Sequence, residues 1–274
     1  MKNILLPTDF SDNSINAINY AIDLFYNKEC SFHILNVQKQ SDFVLDDFMT
    51  ESSNTTVHNT IAKDNKTKLK EFAENIKKEH PNKELDFNLL FDFDNLIHAI
   101  KEAISYKNID LIIMGSNGAT GTREIIFGSN TLNVIRKVNC PVLVIPENYK
   151  FKKVNSILFS SEDCKAYTKQ NTKLLQDLVK ENKATLSVAD VSFLSKNTSE
   201  KSFLDNIFDV KYNYFKIKDV PESMAVRTII QLFNYEIYAL FINTEFTFLD
   251  RFLYTSKNQE ISYKTKIPLL VLRE

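Results

Sequence analysis

The chain has 274 residues, 43% hydrophobic and 25% charged, with 34 Lys+Arg against 35 Asp+Glu; this is the make-up of an ordinary globular protein with room for one large or two small domains. A formal net charge of −1 argues against the basic face that a nucleic-acid binder needs, and no stretch reaches the roughly 20 apolar residues of a membrane span. The three cysteines, Cys30, Cys140 and Cys164, form neither a disulfide framework nor a CxxC pair, and the apolar start is too short for a signal peptide, so a cytoplasmic protein is expected.

In chain order, Ile4-Leu5-Leu6 reads as a buried strand ending at Pro7-Thr8-Asp9. Ser11 or Asp12 can cap the helix that follows, whose Ile15, Ile18, Ala21, Ile22 and Phe25 share one face. Residues 31–37 form the next strand, and a polar stretch over about 38–58 reads as a long connection. A charged helix is predicted over 60–80, a strand over 85–91, a helix over 95–106 and a continuous apolar strand over 110–114. A helix through Leu132, Ile135 and Val138 leads to the last strand of this half, Pro141 to Pro146. Repeated alternation of strand and helix implies a parallel sheet covered on both faces, with right-handed crossovers that make it doubly wound.

The second half repeats the plan. Ser156 to Glu162 echoes Asn3 to Asp9, Ile237 to Ile242 echoes the strand before residue 115, and Pro268 to Leu272 echoes Pro141 to Ile145. Strands over 184–191 and 210–217 and a helix over 221–233 fill the interval. The expected architecture is α/β: two tandem Rossmann-like domains, 1–147 and 152–274, each a five-stranded parallel sheet with helices on both faces.

Glycine supplies the sharpest signal. Average usage would give about 19 in a chain of this length; there are four, Gly115, Gly118, Gly121 and Gly128. They fall in one window that starts at the carboxyl end of a strand and ends at a helix start, where open parallel sheets bind ligands. Free N–H groups and the positive pole of a helix dipole favour phosphate there. The pattern is Gly-x2-Gly-x9-Gly-Ser, which is neither GxGxxG nor a P-loop. As a turn without a ligand, the same window would be purely structural.

With Pro7-Thr8-Asp9 after the first strand and Pro-Val-Leu-Val at the end, this pattern resembles the universal stress protein family over residues 1–146; beyond 152 only the architecture matches. The resemblance implies ATP or a related adenine nucleotide in the first domain. It implies that Gly115, Gly118, Gly128, Ser129 and Asn130 cradle phosphates and ribose, and that Asp9 faces the ribose or a phosphate-bound Mg2+. Val37 matches the position whose backbone reads adenine, and Met114 packs on the base. In the second copy Asn243, Phe246 and Thr255 stand where glycines are needed, Glu162 replaces the carboxylate and only Ser256 matches, so that copy is expected to be degenerate.

Family members pair through their last strands, so the two copies are expected to pair within the chain, with a homodimer of whole chains as the other arrangement. There is no Walker lysine, no evident general base and no nucleophile–base pair, so the chain is not expected to be an enzyme, and any ATP turnover should be slow. His33, His58, His80 and His98 have no metal-ligand spacing, and no protein metal site is expected. Two readings remain: a nucleotide-binding regulator of a protein partner in a stress response, and a ligand-free interaction scaffold that keeps a vestigial site.

Overall fold

The computed structural model describes residues 2–38, 54–93, 95–116, 127–161, 166–190, 200–217, 222–242 and 267–273. In the first half β1 (Lys2–Thr8), β2 (Cys30–Val37), β3 (Phe87–Asp92), β4 (Leu111–Gly115) and β5 (Val142–Ile145) alternate with α1 (Asp12–Phe25), α2 (Asn54–Glu79), α3 (Leu96–Lys107) and α4 (Ser129–Lys137). The second half carries β6 (Ser156–Ser161), α5 (Lys173–Asn182), β7 (Thr185–Asp190), α6 (Glu200–Ile207), β8 (Tyr212–Lys216), α7 (Glu222–Leu232), β9 (Ile237–Ile242) and β10 (Leu269–Arg273). α2 begins at Asn54, ahead of the expected residue 60, and α5 and α6 were not anticipated. Leu175, Leu178 and Val179 of α5, all buried, carry the i, i+3, i+4 spacing that marks it.

Local chemistry sets the helix ends. The Ser11 side chain accepts from Ser14 N at 3.3 Å and starts α1, and Asn95 Oδ1 accepts from His98 N at 3.0 Å to start α3. α3 stops at Asn108 with φ 49°, a left-handed cap that asparagine tolerates well.

The strands form one sheet in the order β3-β2-β1-β4-β5-β10-β9-β6-β7-β8. Each half has the same doubly wound order, 3-2-1-4-5 and 8-7-6-9-10 counted inward, and every pairing within a half is parallel. The halves meet where β10 runs antiparallel to β5, with Leu269 opposite Val144, Leu270 opposite Leu143 and Val271 opposite Val142. Each half ends on an apolar strand, buried throughout in β5 and as far as Leu272 in β10, whose bare edge would otherwise leave N–H and C=O groups unpaired; joining the edges satisfies both rows at once. The antiparallel joint also turns the carboxyl ends of the two sets of strands in opposite directions.

Both faces are covered, as a parallel sheet requires, and each core runs across the joint. One contains Ile4, Leu6 and Ile34 with Ile157, Phe159 and Leu270; the other contains Leu5, Ile112 and Met114 with Leu158, Tyr238 and Val271. The linker lies along α1: Asn16 Nδ2 donates to Tyr149 O at 3.2 Å, and the Tyr20 ring meets Tyr149 at 6.1 Å and Phe151 at 5.4 Å. Lys2 and Lys28 reach across to α5, Lys2 pairing with Glu181 and with Asp177 at 3.5 Å, and Lys28 with Glu181 at 3.4 Å.

Candidate functional site

A hollow opens at the carboxyl ends of β1 and β4, the switch point of the first half's winding, where ligands of open α/β sheets bind. It is lined by Pro7, Thr8 and Asp9 after β1, Ser14 of α1, Val37 ending β2, Leu96 opening α3, Met114 and Gly115 ending β4, and Asn130 and Thr131 in the first turn of α4. Its cavity volume is about 120 Å³, and its mouth is open to solvent.

The residues singled out in the sequence fall into three groups. Pro7, Thr8, Asp9, Val37, Met114, Gly115 and Asn130 line the hollow together. Gly128 and Ser129 stand beside Asn130 at the start of α4 but are not in the wall. Gly118, like Gly121, lies outside the described residues, as do Glu162, Asn243, Phe246, Thr255 and Ser256 of the second copy. Ser14, Leu96 and Thr131 are wall residues that sequence reasoning missed. A serine in the first turn of one helix, the first apolar residue of a second and a threonine in the first turn of a third carry no pattern of their own; only the spacing from Gly128 places Thr131 near the site.

The polar wall has a direction. Ser14 Oγ donates to Ser11 O at 2.8 Å, so in its 2.9 Å contact with Thr8 Oγ1 the threonine is the donor. Thr8 Oγ1 also accepts from Phe10 N at 3.0 Å, which holds Phe10 at φ 63°. On the other side, Thr131 Oγ1 donates to Gly115 O at 3.0 Å. All three hydroxyl protons are therefore committed to protein acceptors, and what Thr8, Ser14 and Thr131 offer a ligand is lone pairs. Asp9 adds a carboxylate, one oxygen of which takes Ser11 N at 3.1 Å and Ser11 Oγ at 2.5 Å.

Donors come from α4. Its N-cap Gly128 makes no side-chain cap bond, and the first intrahelical bond runs from Leu132 N to Gly128 O at 3.0 Å, so the N–H groups of residues 129–131 have no partner in the helix ladder. Gly128 corrects one expectation: its own N–H donates to Ser116 O at 2.8 Å and is not available to an anion. This bond closes the base of the turn between β4 and α4. Val37, Leu96 and Met114, which belong to or pack against one core cluster, supply the apolar part of the wall.

A model of the universal stress protein family matches residues 1–146. The chain belongs to that family. Two relatives from Methanocaldococcus jannaschii, the universal stress proteins MJ0577 and MJ0531, are 33% identical over 155 residues and 30% identical over 151. These matches cover 53% and 54% of this chain, and 94% and 84% of the relatives. A solved universal stress protein from Archaeoglobus fulgidus covers 98% of this chain and 97% of its own with a TM-score of 0.66 at 14% identity, a likeness of fold that extends through both halves. Among the described residues no group of three His, Cys, Asp or Glu side chains is placed to hold a metal ion, and no helix is long and apolar enough to cross a membrane.

Proposed function

We propose that the chain is a regulatory universal stress protein that binds ATP or a related adenine nucleotide in the hollow between β1 and β4. The observation that carries this reading is that one hollow joins apolar residues, a set of acceptors and the N–H groups of a helix start. Val37, Leu96 and Met114 suit the faces of a base. Thr8, Ser14 and Asp9 present acceptors, which suit the donor hydroxyls of a ribose. The first turn of α4 presents N–H groups and the positive end of a dipole, which suit phosphate; each hydrogen bond to a charged oxygen contributes about 1.5–3 kcal/mol. Mg2+ bound to the phosphates would find its protein carboxylate in Asp9. Of the wall hydroxyls, Ser14 and Thr131 donate to backbone carbonyls, which favours a binding role over catalysis.

The same reading makes residues 152–274 a copy that has lost the nucleotide. The sequence echo points to Asn243 as the counterpart of the first glycine, but the strand ladders favour another residue. Leu5 is level with Ile112, and Leu158 with Tyr238; continued upward, Gly115 stands level with Thr8 and Phe241 with Ser161. Phe241 is buried and its ring meets Tyr167 at 5.0 Å. An aromatic pair stands in the second half where Gly115 and the Asn13 side chain meet in the first.

The test is mass spectrometry of purified protein after denaturation, followed by calorimetry with ATP, ADP and AMP. An adenine nucleotide is expected, at about one site per chain, and Leu96→Trp, which fills the hollow, should abolish binding without unfolding the chain. Absence of nucleotide in both measurements would overturn the reading. Two equal sites per chain would overturn the degenerate second copy.

A further inference from the structure

We propose that Asn13 is a positioning residue of the hollow, and that position 115 is glycine because the Asn13 side chain occupies the space above it, not because a ligand does. The inference rests on the nucleotide reading for its functional consequence, while its steric core stands on the coordinates alone. A Cβ on Gly115 would fall 2.6 Å from Asn13 Nδ2, 2.7 Å from Cγ and 2.9 Å from Oδ1, all well inside van der Waals contact.

Relief has to come from Asn13, because the strand is held. Gly115 pairs with Ile145 in the β4–β5 ladder. Its carbonyl takes the buried hydroxyl of Thr131 at 3.0 Å. The next residue donates from Ser116 N to Ile145 O at 2.9 Å and accepts at its own carbonyl from Gly128 N at 2.8 Å. Asn13 is 7% exposed and lies in the first turn of α1, directly before Ser14, whose hydroxyl is a wall of the hollow. The Asn13 side chain must therefore turn away from Gly115, and it does so one residue from the Ser14 hydroxyl, which lies 2.9 Å from that of Thr8.

The second half provides the contrast. The position level with Gly115 holds Phe241, and what packs against it there is the ring of Tyr167. This place in the fold accepts a side chain when its occupant changes too, so the fold itself does not require glycine there. Contact with Asn13 does.

A double-substitution cycle on the full chain tests this, with ATP as the probe and thermal unfolding as a second readout. Gly115→Ala alone is expected to weaken ATP binding at least about tenfold and to lower Tm by about 2–4 °C. In an Asn13→Ala background the same change should alter Kd by less than about twofold and Tm by less than about 1 °C. An equal loss of affinity in both backgrounds would mean that the ligand itself needs the bare Cα, and the proposal fails. Asn13→Ala with Gly115 retained should weaken ATP binding about fivefold; unchanged affinity removes the positioning role. If the parent chain binds no ATP, it is the nucleotide reading that has failed, and the Tm cycle still decides the steric pairing: coupled losses support it and additive losses overturn it.

Discussion

Tyr20→Phe should make this protein more stable. The Tyr20 side chain is 1% exposed, among the largest fully buried side chains described, and among the described residues its hydroxyl has no hydrogen-bond partner. A buried polar group without a partner costs about 1–3 kcal/mol of desolvation. The phenylalanine ring would keep the packing on Tyr149 and Phe151, so most of that cost is recovered, and the expected gain is about 1–2 kcal/mol. At roughly 2–4 °C per kcal/mol for a chain of this size class, Tm should rise by about 2–8 °C.

The same substitution has a signature in alkali. Burial, with smaller contributions from Tyr149 and Glu236, drives the Tyr20 hydroxyl far above the ordinary tyrosine range. Below about pH 10, the ordinary tyrosine value, the phenol is neutral in both folded and unfolded chains and stability is intact. Above it the unfolded chain releases a proton that the folded chain retains, so stability falls as pH rises. Urea unfolding at neutral pH and at about pH 10.5 should give Tyr20→Phe a higher midpoint at both, with the larger advantage in alkali. A variant destabilised by about 1 kcal/mol or more, with an unchanged alkaline slope, would refute the reasoning, because the hydroxyl would then have a partner in the folded protein.

Two further perturbations follow from groups near the sheet. His33 is buried in β2, and burial, followed by Lys107, lowers its pKa. Its stabilising contribution is present above the ordinary histidine value of about 6.5 and is lost as pH falls through the lowered folded value; His33→Gln should therefore lose less stability than the parent between about pH 7.5 and 5.5, and equal losses would assign the acid sensitivity elsewhere, His80 being another histidine shifted downward. At the joint of the halves, Glu181→Gln removes the carboxylate shared by Lys2 and Lys28. About 1 kcal/mol should be lost at low ionic strength, with the gap to the parent narrowing at roughly 0.5 M NaCl, as measured by urea unfolding; a salt-independent gap would point to packing instead of charge.

Most of the strand framework was legible in the sequence because short apolar runs bounded by proline, asparagine and aspartate leave few alternatives. Ile4-Leu5-Leu6, Leu111 to Met114 and Ile237 to Ile242 are each buried as continuous runs. The end of a strand beside a lone cluster of glycines located the hollow, and Asp9, Val37 and Met114 reach its wall from three strands. α5 and α6 escaped notice because they are short and follow polar stretches, so their apolar spacing covers few turns. Ser14, Leu96 and Thr131 escaped because each is held at the hollow by an element whose position depends on the whole sheet.

The sequence by itself determined that this chain alternates strand and helix twice over, that its two halves share one plan, and where glycine is concentrated; these follow from local periodicity and from the backbone freedom that only glycine has. Tertiary structure decided what those glycines meet. It set Asn13 over Gly115 and spent the Gly128 N–H on Ser116. It also joined β5 to β10 in antiparallel register so that the two halves became one sheet. The physical reason is that contacts between residues separated along the chain, by 12 positions for Ser116 and Gly128 and by 102 for Asn13 and Gly115, depend on the distances left between packed backbones, and no spacing along the chain encodes those distances.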